Sequence, residues 1–277
     1  MTTSLSETRF VHYYRQILLP EVGESGQQTL LQSHVLIVGV GGLGTHVAQQ
    51  LAAAGVGHLY LMDNDKVERS NLPRQVLFAA PDIGQNKVDI AKRQIHQHNP
   101  DVHVVAWPWH FDLDSVAIFI QQQPLLSAAL HQQKLTVLDC SDNLTTRHSV
   151  NLWCVDHKLV LVSAAVSAFC GQLLLVDVQN AQHAGCYRCL FNEHAITQDC
   201  QSMGVLGPTV AVVASMQAAL TLKHILRVGA ADDHLHVYDG YTLSWRKLKR
   251  QRDRHCPVCC TPSTLNSPIS HQREASL

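Results

Sequence analysis

The chain has 277 residues, a formal net charge of −1 and only 16% charged residues, so it offers neither a basic field for nucleic acid nor an acidic tail for a cationic partner. Met1 to Glu7 lack the basic and apolar regions of a secretory signal, and no apolar run, Leu159 to Cys170 included, reaches the ~20 residues of a membrane span. These bounds imply a soluble cytoplasmic protein with no nucleic-acid or membrane partner, long enough to bury a sizeable core.

In chain order, residues 1–33 read as an N-terminal helical segment, with Phe10 to Leu31 carrying His12-Tyr13-Tyr14-Arg15-Gln16-Ile17. Residues 34–260 read as a single α/β domain. It opens with the apolar run His34 to Val40, turns through Gly41-Gly42-Leu43-Gly44, and continues as a helix from Thr45 to Ala54. A second apolar run, His58 to Met62, ends in Asp63. Asn86 to His98 has helical spacing, Val102 to Trp107 reads as a strand, and Asp112 to Gln123 as an amphipathic helix. Lys134 to Leu138 forms a strand that delivers Asp139 to Asn143 at its carboxyl end, followed by a helix from Thr145 to His157 and a strand from Lys158 to Val162. The alternation predicts a doubly wound, Rossmann-like parallel sheet through about Val162.

The pattern then changes. Ser167 to Val178, broken by Gly171, reads as a hairpin arm rather than another strand-helix unit. Leu206 to Ile225 is a long apolar helix expected to be buried, in the core or at a subunit interface. His234 to Gly240 and Trp245 to Leu248 predict two antiparallel strands, and the polar stretch Thr261 to Leu277 a disordered tail.

Glycines at 39, 41 and 44 fit G-x-G-x-x-G, the turn that brings backbone N–H groups at a helix N-terminus to a phosphate, and Asp63 stands where such a fold places an acid on a ribose hydroxyl. By itself this fingerprint fits NAD or FAD as readily as an adenine mononucleotide. Polar groups farther along the chain shift the balance: Ser70-Asn71-Leu72-Pro73-Arg74-Gln75, then Asn86-Lys87, then Leu138-Asp139-Cys140-Ser141-Asp142-Asn143. Hydride transfer develops no phosphate charge and needs no fixed Arg and Lys beyond the ribose-binding acid, whereas cleavage of a triphosphate does. No G-x-x-x-x-G-K-[ST] is present, so P-loop chemistry is not indicated.

Four of the nine cysteines fall in two C-x-x-C pairs, Cys186/Cys189 and Cys256/Cys259, beside the turn formers Gly185 and Pro257. In a reducing compartment this spacing points to a four-thiolate structural zinc site that ties the C-terminal region back to the crossover, rather than to redox chemistry. Spacing alone leaves Cys259 and Cys260 as competing ligands. Cys140, Cys154 and Cys170 sit in apolar or strand contexts and are expected to be buried small residues. The 18 histidines lack ligand spacing and read mostly as surface or helix positions.

From about Tyr13 to Cys259 these spaced motifs together resemble the ThiF/MoeB/HesA family, bacterial relatives of ubiquitin-activating enzymes. The resemblance implies an adenylyltransferase in which a carboxylate attacks the α-phosphate of ATP, releasing pyrophosphate. Gly39, Gly41, Gly42, Gly44, Asp63, Ser70, Asn71, Arg74, Lys87, Asp142 and Asn143 would then line the ATP site. Asp142 would hold Mg²⁺, and Arg15 would reach across a homodimer to the partner's phosphates. Cys200 would join a carrier's terminal carboxylate sulfur in an acyl disulfide. The implied partner is a ubiquitin-like sulfur carrier ending in Gly-Gly, served by a cysteine desulfurase or another sulfur donor. The thiamine-thiazole carrier ThiS is expected ahead of the molybdopterin carrier MoaD; an NAD-dependent oxidoreductase and an idle zinc-containing binding module are the alternatives of other classes. The chain departs from the family pattern at His12, Pro73 and Asn86, where relatives commonly carry Arg, Gln and Pro.

Overall fold

The computed structural model describes residues 5–180, 182–191, 204–230 and 232–260; Cys200 and the tail 261–277 lie outside them. Two helices, α1 (Glu7–Ile17) and α2 (Gly23–Leu31), precede the sheet. The chain continues as β1 (His34–Val38), α3 (Gly42–Ala53), β2 (His58–Met62), α4 (Lys87–His98), β3 (His103–Trp107), α5 (Leu113–Gln122), α6 (Pro124–His131), β4 (Leu135–Asp139), α7 (Leu144–Asp156) and β5 (Val160–Ser167). It ends with β6 (Cys170–Val176), the single turn α8 (Tyr187–Leu190), α9 (Gly207–Ile225), β7 (His234–Asp239) and β8 (Ser244–Lys249).

All eight strands form one sheet in the order β3-β2-β1-β4-β5-β6-β7-β8. Neighbours from β3 to β5 pair parallel, and those from β5 to β8 antiparallel. The β-branched runs become central strands because both faces are covered. Val35 and Ile37 of β1 pack with Val47 and Leu51 of α3, Ile90 of α4 and Val213 of α9. Leu36 and Val38 point the other way, toward Phe119 of α5, Leu126 of α6 and Trp153 of α7. Among the described residues no helix is long and apolar enough to cross a membrane.

Several expectations are refined. The segment after Val162 does form a hairpin, but its second arm, β6, is an interior strand between β5 and β7. That pairing depends on partners some sixty residues downstream, beyond any local pattern. Pro124 starts α6, which the sequence pattern does not mark, by supplying a preset φ at the first turn. The last long helix, α9, is not buried all round: Val210, Val213, Ala214 and Gln217 face the core, while Val212 and Met216 are exposed. Cys140 and Cys154 are buried, but Cys170 is exposed at the β5–β6 turn. Two histidines, His34 and His58, leave the surface pattern for half-buried positions, while His103 beside them is exposed. His34, His58 and His103 align across β1, β2 and β3, with the first two rings stacked at 4.3 Å. Partial burial, helped by His58, Lys134 and His103, lowers the His34 pKa to about 4.

Candidate functional site

The β1 strand sends its chain to α3 on one face of the sheet and β4 sends its chain to α7 on the other, so a crevice opens between their carboxyl ends. The turn out of β1 is built for close approach. Gly39 has φ +89, and a Cβ there would lie 2.9 Å from the Cys140 carbonyl. A Cβ on Gly44 would lie 1.9 Å from the Gly39 oxygen. Both positions therefore require glycine, and α3 starts directly after this turn, its first-turn N–H groups being those that a helix leaves without intrahelical partners.

At the end of β2 the Asp63 carboxylate braces this turn, accepting from Val40 N at 2.6 Å and from Asp65 N at 2.7 Å. Burial raises the Asp63 pKa, against the lowering pull of Lys87 and the two N–H donors. The next loop folds on itself. Asn71 Oδ1 accepts from Glu68 N at 3.1 Å, the Ser70 hydroxyl donates to Glu68 at 3.2 Å, and Arg74 Nη1 donates to the Ser70 carbonyl at 2.8 Å. This knot sets Arg74 against the glycine turn, with its Cγ 3.8 Å from the Cβ position of Gly42. Gln75 Nε2 lies 3.6 Å from that of Gly41.

Lys87 is not a free cation. Its side chain is buried and its ammonium donates to Asp65 Oδ2 at 2.7 Å, the partner that a desolvated charge needs. Asp65 itself is exposed, so an incoming phosphate can compete for the ammonium without breaking a buried acid. On the β4 side, Asn143 caps α7, its Oδ1 accepting from Thr146 N at 2.8 Å. Asp142 is exposed at the strand's carboxyl end, with no hydrogen-bond or ion-pair partner among the described residues. Its free oxygens suit a hard cation that takes few protein carboxylates and shares phosphate oxygens, so the residues present fit Mg²⁺.

The glycine turn, Asp63, Ser70, Asn71, Arg74, Lys87, Asp142 and Asn143 thus gather along the carboxyl ends of the interior strands β1, β2 and β4. Arg15 does not join them. Helix α1 packs at the amino ends of the strands instead, where Tyr13 meets Asn99 Nδ2 at 2.8 Å and Gln16 donates to Ala54 O at 2.7 Å, just before β3 and β2. Arg15 is exposed on that helix.

Residues to which the sequence assigns no role stand behind the crevice. Asp139, the last residue of β4, is buried and paired with buried Arg147 of α7 at 3.1 Å. Gln217 of α9, also buried, donates to the carbonyls of Asp139 at 3.2 Å and Val162 at 2.9 Å. The available signal is a lone acid closing an apolar strand, with a lone arginine near the start of the next helix.

The second cluster lies on the antiparallel side. The sulfurs of Cys186, Cys189, Cys256 and Cys259 all lie within 4.8 Å of one another. Cys186 and Cys256 are 3.7 Å apart, and Cys189 and Cys259 are 3.5 Å apart, close to the ~3.8 Å edge of a tetrahedron with zinc–sulfur bonds of ~2.3 Å. The residues present fit zinc, and geometry selects Cys259 over Cys260, whose sulfur lies 3.1 Å from the Asp253 carbonyl instead. Hydrogen bonds from Cys186 and Cys259 hold the Cys189 pKa well below the usual thiol range, and the same contact pushes Cys186 up to about 12. Asn151 supports the cluster, donating to Cys186 Sγ at 3.6 Å and accepting from Tyr187 N at 2.9 Å.

This arrangement has relatives. The ThiF family matches residues 13–258. The chain belongs to the ThiF family. Among its ThiF-family relatives, the sulfur carrier protein ThiS adenylyltransferase of Escherichia coli is 38% identical over 92% of this chain and 97% of its own length. The molybdopterin-synthase adenylyltransferase of the same organism is also 38% identical, over 92% and 98%. The crystal structure of E. coli MccB with ATP superposes with a TM-score of 0.73 at 25% identity, covering 90% of this chain and 73% of that one.

Proposed function

We propose that the protein is an ATP-dependent adenylyltransferase that activates the C-terminal glycine of a ubiquitin-like sulfur carrier. The observation that carries this reading is the gathering of Arg74, Lys87 and Asp142 around a glycine turn, in a chain similar to sulfur-carrier adenylyltransferases over nearly its whole length. A carboxylate is already ionised at neutral pH, so its attack on the α-phosphate requires no general base. The chain's task is to hold the nucleotide in line with that carboxylate and to offset the charge that grows on the departing pyrophosphate.

In this reading the Gly39–Gly44 turn and the start of α3 cradle phosphate, Asp63 takes a ribose hydroxyl, and Ser70, Asn71 and Asn143 fix the walls. Arg74 and Lys87 turn toward the triphosphate, Lys87 leaving Asp65. Asp142 would hold Mg²⁺, which would supply charge compensation on the phosphate oxygens. Arg15, far from its own chain's crevice, enters from a second copy, so the active form is a homodimer. Zinc on the four cysteines is structural, since a closed set of four thiolates leaves no position for substrate. Cys200 takes the acyl-disulfide role in sulfur transfer, with sulfur from a desulfurase or an equivalent donor, in a reducing cytoplasm.

The carrier is proposed to be ThiS, in thiamine-thiazole synthesis, with MoaD as the second reading, favoured equally by the identity of the two E. coli relatives. The test is exchange of labelled pyrophosphate into ATP, with each carrier supplied side by side. Exchange that depends on an added Gly-Gly carrier and is lost in Asp142→Ala supports adenylation. Exchange with neither carrier, or nicotinamide reduction in its place, overturns it. Faster exchange with MoaD than with ThiS moves the chain to molybdopterin synthesis.

A further inference from the structure

The Asp139–Arg147 pair sits directly behind Asp142, and its bonds are directed at the chain that carries it. One Arg147 nitrogen donates to Asp139 Oδ2 at 3.1 Å, Ser163 Oγ at 3.2 Å and the Ala164 carbonyl at 2.9 Å; the other donates to the carbonyl of Ser141. Asp139 completes the knot. Its Oδ1 accepts from Ser141 N at 3.1 Å and from the Ser141 hydroxyl at 2.6 Å, and its Oδ2 accepts from Ser163 Oγ at 2.7 Å.

One guanidinium therefore joins the end of β4, the middle of the neighbouring β5 and the peptide immediately before Asp142. The peptide after Asp142 is fixed separately by Asn143 as the cap of α7. Asp142 is an exposed side chain on a backbone clamped one residue to either side. The clamp also reaches the phosphate turn, because the Ser141 nitrogen lies 3.0 Å from the Cβ position of Gly39.

Energetics say what such a pair is suited for. Removing two charges from water costs several kcal/mol per ion, and well-packed apolar residues in their place commonly serve stability as well or better. A planar guanidinium, however, reaches several acceptors in fixed directions, which apolar contacts and a lysine ammonium do not.

We propose that Arg147 is a positioning residue, which, with Asp139, fixes the loop of Asp142 so that its carboxylate meets the nucleotide-bound divalent cation without reordering. This inference rests on the proposed role of Asp142 and adds to it the group that sets the geometry. Fixing a ligand beforehand removes the ordering cost from the binding step, so loosening the loop weakens cation capture even where the fold survives.

The test uses the full-length protein, Mn²⁺ as the probe and α,β-methylene-ATP as the uncleavable nucleotide, with free and bound Mn²⁺ counted by electron paramagnetic resonance. Arg147→Lys keeps the charge but reaches fewer acceptors, and is expected to weaken Mn²⁺ binding tenfold or more. Should it fail to fold, Asp139→Asn/Arg147→Met removes both charges together; it is expected to melt no lower than the unaltered protein while losing Mn²⁺ affinity to the same degree. Asp142→Asn is measured alongside and is expected to lose at least as much. Normal Mn²⁺ affinity in the folded Arg147 variants, with Asp142→Asn weakened, overturns the positioning role and leaves the function intact. Normal affinity in Asp142→Asn overturns the cation role of Asp142 and this inference with it.

Discussion

The two ends of the sheet are stabilised differently. From β3 to β5 the strands are parallel, and central β1 and β4 are covered on both faces, with β4 buried at every position. Side chains and backbone turns position the polar groups at this end. From β6 to β8 the sheet thins: β7 is mostly half-buried and β8 largely exposed. There the buried Arg250 bridges the carbonyls of Leu175, Gly185 and Asp232, and four thiols join segments 70 residues apart. The contrast teaches that the candidate site sits beside the most densely covered strands, and that the less covered extension is held by a buried guanidinium and a cluster of thiols instead.

The largest expected effect breaks the contrast at its weaker end. A structural zinc site contributes on the order of 10 kcal/mol to folding, so Cys186→Ser or exhaustive chelation is expected to abolish amide protection in β6 to β8 while the parallel strands stay protected, as hydrogen exchange resolved by segment will show. Uniform loss of protection contradicts the division. At the other end, Arg74→Ala and Asp142→Ala are expected to lower carrier-dependent pyrophosphate exchange about 10²–10³-fold, with unchanged melting temperature, because both side chains lie outside the core. Gly44→Ala is a packing lesion at the same end. Its methyl group meets the Gly39 oxygen at 1.9 Å, and a loss of about 1–3 kcal/mol by denaturant titration, with nucleotide binding lost as the turn shifts, is expected.

The smallest effect is titration. The His34 pKa is held at about 4 in the fold, chiefly by burial. Between that value and the ordinary 6.5 the unfolded chain binds the extra proton, so this contribution is complete above pH 6.5 and is lost as pH falls toward 4. The ring is only partly buried, which reduces the effect to on the order of 1 kcal/mol after screening. The melting temperature should fall about 2–4 °C between about pH 7 and pH 5 through this group, and His34→Asn should remove that part of the slope.

How much of the molecule is legible in its sequence depends on the range of the interaction. The parallel strands, the glycine turn and the acid ending β2 follow from patterns within a few residues, and the four cysteines stand out by spacing because metal geometry restricts it. Interactions that join distant segments leave weaker traces. Nothing local marks Asp65 as the partner of Lys87 or Gln217 as a clamp on β4. Cys170 reads as a core residue because its neighbours are apolar, yet it starts a strand at a turn and faces water. Arg15 stands out only through family resemblance; its place at the amino ends of the strands, away from the crevice at their carboxyl ends, is a fact of packing.

The separation of the two cysteine pairs has a consequence for biogenesis. A ribosome delivers Cys186 and Cys189 well before Cys256 and Cys259, so a cation that needs all four thiolates is captured only after the last strand has emerged. With zinc held there as proposed, metal supply would act as a completion check on newly made chains, and zinc starvation would be expected to show first in nascent protein.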